Sequence, residues 1–177
     1  MSGARSLAPV TLVLGGARSG KSAHAEALIE ASLTPPVYIA TAEAGDAEMA
    51  ARIARHRERR GEAWRTVEEP MDLVGALGRE ASPDTAVLVD CLTLWLSNLL
   101  QAGRDVEAEI DGLSGVLASL RGPVVFVSNE VGLGIVPGNA AARAFRDHAG
   151  RLHQAIAEQA QSVVLVVAGQ PMTIKEV

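Results

Sequence analysis

The sequence predicts an α/β fold: a mostly parallel sheet with helices on both faces, in a single domain over residues 1–177. Three observations carry that expectation. Short β-branched, apolar runs alternate with longer segments of helical spacing, the order that builds a parallel sheet between helices. A glycine-rich loop stands at the first strand-to-helix junction. The length, 177 residues with 48% hydrophobic, suits one domain with a real core and argues against disorder. No internal repeat, linker or low-complexity tract interrupts it.

Taken in order, residues 1–8 read as a loose tail. Val10 to Leu14 is a buried strand. Gly15-Gly16-Ala17-Arg18-Ser19-Gly20-Lys21-Ser22 then fits G-x-x-x-x-G-K-[ST], the phosphate-binding P-loop. A helix follows from Ser22 to Ala31, with Ala25, Leu28 and Ile29 at helical spacing. The glycines let the backbone curl so that several N–H groups converge on one centre, without a Cβ in the way. The helix start adds unpaired N–H groups and a positive dipole end. Lys21 would reach the β/γ-phosphates and the Ser22 hydroxyl would ligate Mg²⁺. The chain therefore binds a nucleoside triphosphate on this reading.

Leu33 to Pro36 breaks the chain, and Val37 to Thr41 is the second strand. Its end, Thr41-Ala42-Glu43, falls at a carboxyl edge, where open α/β sheets place ligands. A helix is expected over about 47–60, with Asp46 to cap it. Met49, Ile53, His56 and Arg60 share one stripe of it. Arg55, Arg57, Arg59 and Arg60 surround His56. That cluster reads either as a solvated basic helix end or as a phosphate pocket with a histidine in its middle.

Trp64 to Glu68 is an expected edge strand, and Pro70 an expected helix start, running to about Glu80. Ala86 to Asp90 is an apolar strand ending in an acid, a Walker-B-like pattern with Asp90 placed to hold Mg²⁺ directly or through water. Leu92 to Leu100 is an apolar helix. Leu92, Leu94, Trp95, Leu96, Leu99 and Leu100 cover more than one face of it, as a subunit contact or a helix buried within one subunit would require. Val106 to Leu120 is a more amphipathic helix. Val124 to Asn129 is a strand. The following loop, Glu130 to Pro137, holds two glycines and exposed-looking aliphatics just past a strand end, a composition that suits function. A helix over Asn139 to Ala160 carries His148 and His153, read as surface positions. Ser162 to Ala168 is a strand, and Met172 to Lys175 a short antiparallel edge strand.

The net charge of −5 argues against a broad nucleic-acid footprint. The single cysteine, Cys91, cannot form an internal disulfide, which fits a reducing cytoplasm. No apolar run approaches a membrane-spanning length. The weakly signal-like N-terminus, Arg5 before an apolar run, is the strand that feeds the P-loop, so cleavage there would destroy the site.

With these residues in view, the chain resembles the bifunctional adenosylcobinamide kinase and adenosylcobinamide-phosphate guanylyltransferase family of cobalamin biosynthesis. The resemblance rests on GGARSGKS at 15–22, YIATAE at 38–43, MAARIARHR at 49–57, NEVGLGIVP at 129–137 and FRDHAGRLHQ at 145–154. These span nearly the whole chain in order. The resemblance implies a RecA-like P-loop fold, a homotrimer, and a cytoplasmic enzyme that takes ATP and GTP as substrates with Mg²⁺. Such an enzyme phosphorylates the aminopropanol hydroxyl of adenosylcobinamide. It then transfers GMP from GTP to that phosphate through a guanylylated histidine, here His56, releasing pyrophosphate. Catalytic roles fall to His56 and Lys21. Nucleotide contacts fall to Gly15, Gly16, Ala17, Arg18, Ser19, Gly20, Lys21 and Ser22, to Thr41, Ala42 and Glu43, to Arg57, Glu58, Arg59 and Arg60, and to Glu68 and Asp90. Ser22 and Asp90 would hold the metal. Other members can carry Glu where Asp90 stands, so the carboxylate is kept here but shortened by one methylene.

The chemistry agrees with these roles. A neutral imidazole is a competent nucleophile at phosphorus, and neighbouring guanidinium groups lower a histidine's pKa toward the neutral form. The same groups can neutralise phosphate oxygens as charge develops. Two rivals remain at this level. A single-activity P-loop kinase for another small hydroxylated metabolite needs Lys21, Ser22 and Asp90 but not His56. A nucleotide-gated switch is the other, although no Asn-Lys-x-Asp motif occurs.

Overall fold

The computed structural model describes residues 6–42, 61 and 63–177. Among the described residues seven strands form one sheet: β1 Val10–Gly15, β2 Pro36–Ala40, β3 Arg65–Glu68, β4 Ala86–Asp90, β5 Val124–Asn129, β6 Ser162–Val167 and β7 Gln170–Glu176. Their order across the sheet is β3-β2-β4-β5-β1-β6-β7. Every pairing is parallel except that of β6 with β7. The described helices are α1 Lys21–Ala31, α2 Leu73–Glu80, α3 Leu92–Gln101, α4 Val106–Leu117 and α5 Ala140–Gln159. The helix expected over 47–60 lies outside the described residues.

The strands read as near-continuous apolar runs because both faces are covered. Alternate residues divide between two cores. Leu12, Ile39, Val87, Val89 and Phe126 pack with α2, α3, α4 and α5 on one face. Val13, Tyr38, Leu88, Val125 and Val127 pack with Ala25 and Ile29 of α1 on the other. Leu7 also packs there, so this part of the expected tail is held against the core; residues 1–5 lie outside the described residues.

Local chemistry sets the helix starts. Asp72 caps α2 by accepting from Gly75 N at 2.9 Å. Asp105 caps α4 by accepting from Ala108 N, and Asn139 caps α5 by accepting from Ala142 N. α2 begins at Leu73 rather than Pro70, because the Glu69 carboxylate takes the N–H groups of Met71 and Asp72 and holds them in a turn. The apolar α3 is accounted for within the subunit. Leu92, Trp95, Leu96 and Leu99 are fully buried, and Leu94 and Leu100 are half-buried.

His153 corrects the expectation of a surface position. It lies on the buried stripe of α5 with Ala149, Leu152 and Ile156, and is only 9% exposed. Its Nε2 is 2.7 Å from the buried Ser128 Oγ, tying α5 to the end of β5. Burial lowers its pKa below the ordinary imidazole value, and the charge of Glu130 acts weakly the other way. His148 is partly exposed and pairs with Glu107 on α4, which also pairs with Arg151.

Candidate functional site

Parallel strands deliver their carboxyl ends to one edge, and the loop after β1 is built there with little tolerance. A Cβ on Gly15 would stand 2.4 Å from Ser19 Oγ and 2.7 Å from the Val166 carbonyl oxygen, so no side chain fits. Gly20 has φ +95 and would bring a Cβ within 3.1 Å of Gly169 Cα. Inside the loop, Ser19 N donates to Gly16 O at 3.2 Å. Two neighbours pin it from either side. Glu130 N donates to Gly15 O at 3.0 Å, and Gly169 N donates to Ser19 O at 2.8 Å. Among the described residues α1 has no side-chain cap, which leaves its first N–H groups for an anion.

Lys21 opens α1, is 7% exposed, and donates from Nζ to Gly16 O at 3.1 Å. Its ammonium is therefore held against the loop that would carry the phosphates. Ser22, the next residue, is half-buried. Gly16, Ala17 and Arg18 are exposed at the loop's outer side, Arg18 with φ 57.

Asp90 ends β4, and β5 separates that strand from β1. The spacing of strands puts Asp90 about 10 Å across the edge from the P-loop strand. Its carboxylate is half-buried, and Oδ2 accepts from the Tyr38 hydroxyl at 2.7 Å. Both side chains belong to the α1 face, two residues apart along paired strands. A hydroxyl oxygen from Ser22 and a carboxylate oxygen from Asp90 are hard donors of the kind Mg²⁺ takes together with substrate phosphates.

Beneath this edge runs a buried polar network that the sequence did not single out. Thr41 is fully buried, and its hydroxyl donates to Cys91 O at 2.7 Å while accepting from Cys91 N at 2.8 Å. Asn98 Nδ2 donates to Thr41 O and to Pro70 O. Cys91 Sγ and Thr93 Oγ1 are 2.9 Å apart. Asn129, level with Gly15 on the strand between β4 and β1, donates to Thr93 Oγ1 at 2.9 Å. Burial, with the charge of Asp90, pushes the Cys91 thiol up, so it stays a neutral packing group. The available signal was polar residues, Thr41, Cys91, Thr93 and Asn129, gathering at strand ends.

The predicted site residues therefore divide. Gly15 to Ser22, Thr41, Ala42, Asp90 and Glu68 share the carboxyl edge, Glu68 level with Ala40 and so with Asp90. Glu68 ends β3 and is exposed at the far edge of the sheet, four strands from β1, or about 19 Å. Glu43, His56, Arg57, Glu58, Arg59 and Arg60 lie outside the described residues.

Known proteins resemble this chain at two levels. The profile of the family described as cobinamide kinase / cobinamide phosphate guanyltransferase matches residues 11–174. A protein of Pseudomonas aeruginosa named bifunctional adenosylcobalamin biosynthesis protein CobP is 51% identical over 93% of this chain and 96% of its own. The Escherichia coli protein named bifunctional adenosylcobalamin biosynthesis protein CobU is 45% identical over 93% and 98%. In fold, the flagellar accessory protein FlaH of Methanocaldococcus jannaschii superposes with a TM-score of 0.54 at 10% identity, covering 99% of this chain and 82% of that one. The last likeness concerns the fold alone.

Proposed function

The chain belongs to the cobinamide kinase / cobinamide phosphate guanyltransferase family, and from that premise we propose how one chain carries both transfers. It is a bifunctional enzyme of adenosylcobalamin biosynthesis, a kinase and a guanylyltransferase, rather than the single-activity kinase or the switch. The observation that carries the mechanism is the P-loop, with Lys21 held against its backbone at the start of α1.

In the kinase step, ATP or GTP lies with its phosphates in the Gly15–Ser22 loop. The aminopropanol hydroxyl oxygen of adenosylcobinamide attacks the γ-phosphorus, the bond to the β-phosphate oxygen breaks, and the hydroxyl proton passes to solvent or phosphate. Lys21 and the loop N–H groups stabilise the charge that moves onto the phosphate oxygens. Ser22 and Asp90 would hold Mg²⁺, which would supply positive charge to offset that of the phosphates. Tyr38 orients Asp90 through its 2.7 Å hydrogen bond.

In the second step, the imidazole of His56 attacks the α-phosphorus of GTP and pyrophosphate leaves. The phosphate oxygen of adenosylcobinamide phosphate then attacks that phosphorus, the P–N bond breaks, and adenosylcobinamide-GDP forms. The arginines Arg57, Arg59 and Arg60 keep the imidazole neutral and balance the phosphate charge. Ala42, Glu43, Glu58 and Glu68 complete the nucleotide contacts, and Thr41, expected among them, instead lies buried beneath the edge with its hydroxyl bonded to Cys91.

We assign the enzyme to the cytoplasm. No helix among the described residues is long and apolar enough to cross a membrane. We assign it a homotrimeric state, supported by the edge strand β7. Met172 and Ile174 are 53% and 61% exposed there, and Val177 is exposed after it. Partners are its corrinoid and nucleotide substrates, not nucleic acid.

Lys21→Ala tests the P-loop role. The variant keeps a native circular-dichroism spectrum and loses nucleotide-dependent phosphorylation of cobinamide, by a barrier change of several kcal/mol. Wild-type kinase rates in a folded variant contradict the role.

A further inference from the structure

Resting on the functional reading above, we infer that the loop joining β5 to α5 is the apolar subsite for the corrin ring of the acceptor. The loop presents Leu133, Ile135 and Val136 to solvent at 84%, 99% and 61% exposure. Such a cluster marks an interaction surface rather than packing.

The exposure is built in. Both oxygens of the Glu130 carboxylate are engaged, by Gly132 N at 2.8 Å and Leu133 N at 3.1 Å. At the other end, Arg143 Nη1 donates to Pro137 O at 3.0 Å and Gly138 O at 2.9 Å. Ser128 and His153 anchor the strand end below. These bonds hold both ends of the loop and leave its aliphatics outward, so a partner has less of it to order.

Position and charge select the occupant. Glu130 N donates to Gly15 O, so the loop starts at the first residue of the P-loop. A corrinoid whose hydroxyl arm reaches the γ-phosphate must place its ring within an arm's length of that loop. The outward side chains, Leu133, Ile135 and Val136, carry no charge, while Glu130 and Arg143 are turned onto the backbone. They therefore suit the methyl groups and neutral amide arms of a corrin rim, and not a phosphate. The other exposed apolar patch, on β7, runs away from this edge. Ile174 lies level with Val163 and Val164, near the amino end of β6. That patch suits contact between copies.

The test uses the full chain carrying Leu133→Ser and Ile135→Ser together, with cobinamide as the probe in equilibrium dialysis followed by its visible absorbance. The expected result is binding of cobinamide weakened roughly tenfold or more. The mass by light scattering stays that of the wild type. Incorporation of label from α-labelled GTP in the absence of corrinoid also continues, since that half-reaction involves no ring. Should the double variant misfold, Ile135→Ser alone carries the same comparison. Unchanged cobinamide binding overturns the subsite. A change of oligomeric mass also overturns it and makes the loop a contact between copies. Failure of the wild type to take label from GTP counts against the functional reading, while the dialysis alone judges the subsite.

Discussion

Replacing Gly15 with Ala forces a clash whose size follows from the geometry. The new Cβ would lie 2.4 Å from Ser19 Oγ and 2.7 Å from the Val166 carbonyl oxygen. The serine hydroxyl can rotate away. The carbonyl cannot, because Val166 is paired with Gly15 in the β1–β6 ladder. An ordinary carbon–oxygen approach is about 3.3 Å or more, so the loop or the ladder must give by about 0.6 Å. Overpacking of this kind costs about 1–3 kcal/mol. At about 2–4 °C per kcal/mol for a chain of this size, Tm falls by about 2–12 °C. The displaced loop also misplaces the phosphates, so kinase kcat falls further than stability does. Gly16→Ala is the control for stability, since no heavy atom of the described structure lies within 4 Å of its Cβ position. Its melting temperature should stay near the wild-type value. Thermal unfolding by circular dichroism measures both variants. Equal melting temperatures for Gly15→Ala and wild type, with an unchanged kinase rate, would refute the steric reasoning.

Three further outcomes follow from the packing. Tyr38→Phe removes a hydrogen bond to a carboxylate, worth roughly 1.5–3 kcal/mol, and should raise the Mg²⁺ concentration for half-maximal kinase rate about tenfold or more; an unchanged metal requirement contradicts the orienting role. His153→Gln keeps a partner for Ser128 but cannot titrate. Because burial depresses the folded pKa of His153, the unfolded chain binds a proton that the folded one resists below about pH 6.5, so wild-type stability is full above that pH and falls beneath it. The variant should lose melting temperature more slowly between about pH 6.5 and 5, and parallel curves contradict the assignment. Arg65→Ala breaks the pair with Glu80, but the arginine side chain is 56% exposed, so stability should change by less than about 1 kcal/mol. A larger loss in chemical denaturation speaks against that.

The fold was legible because its signals are local. Strands buried on both faces produce unbroken runs such as Ala86 to Val89, and Gly15 and Gly20 of the P-loop stand where a Cβ is crowded. The placing of the glycine-rich loop and of Asp90 at strand ends was legible for the same reason. Longer-range features were not. Glu69 delaying the start of α2 depends on a carboxylate folding back on two N–H groups. The burial of His153 was within reach, since it falls at helical spacing with Ala149, Leu152 and Ile156, but its polar side chain masked the stripe until Ser128 supplied a partner from another strand. The network from Asn98 through Thr41 and from Cys91 to Asn129 joins residues up to 57 positions apart, and nothing in the linear order brings them together.

The measurement that bears most directly on the two-transfer account is labelling with α-labelled GTP and Mg²⁺ in the absence of corrinoid. The account predicts a covalent GMP adduct with release of pyrophosphate. The adduct should be a phosphoramidate, lost in mild acid and stable in alkali. His56→Ala should abolish it while leaving phosphorylation of cobinamide largely in place, because direct attack of a hydroxyl on the γ-phosphate uses no protein nucleophile. No adduct on the wild type, an adduct that survives acid, or label retained by His56→Ala would contradict it.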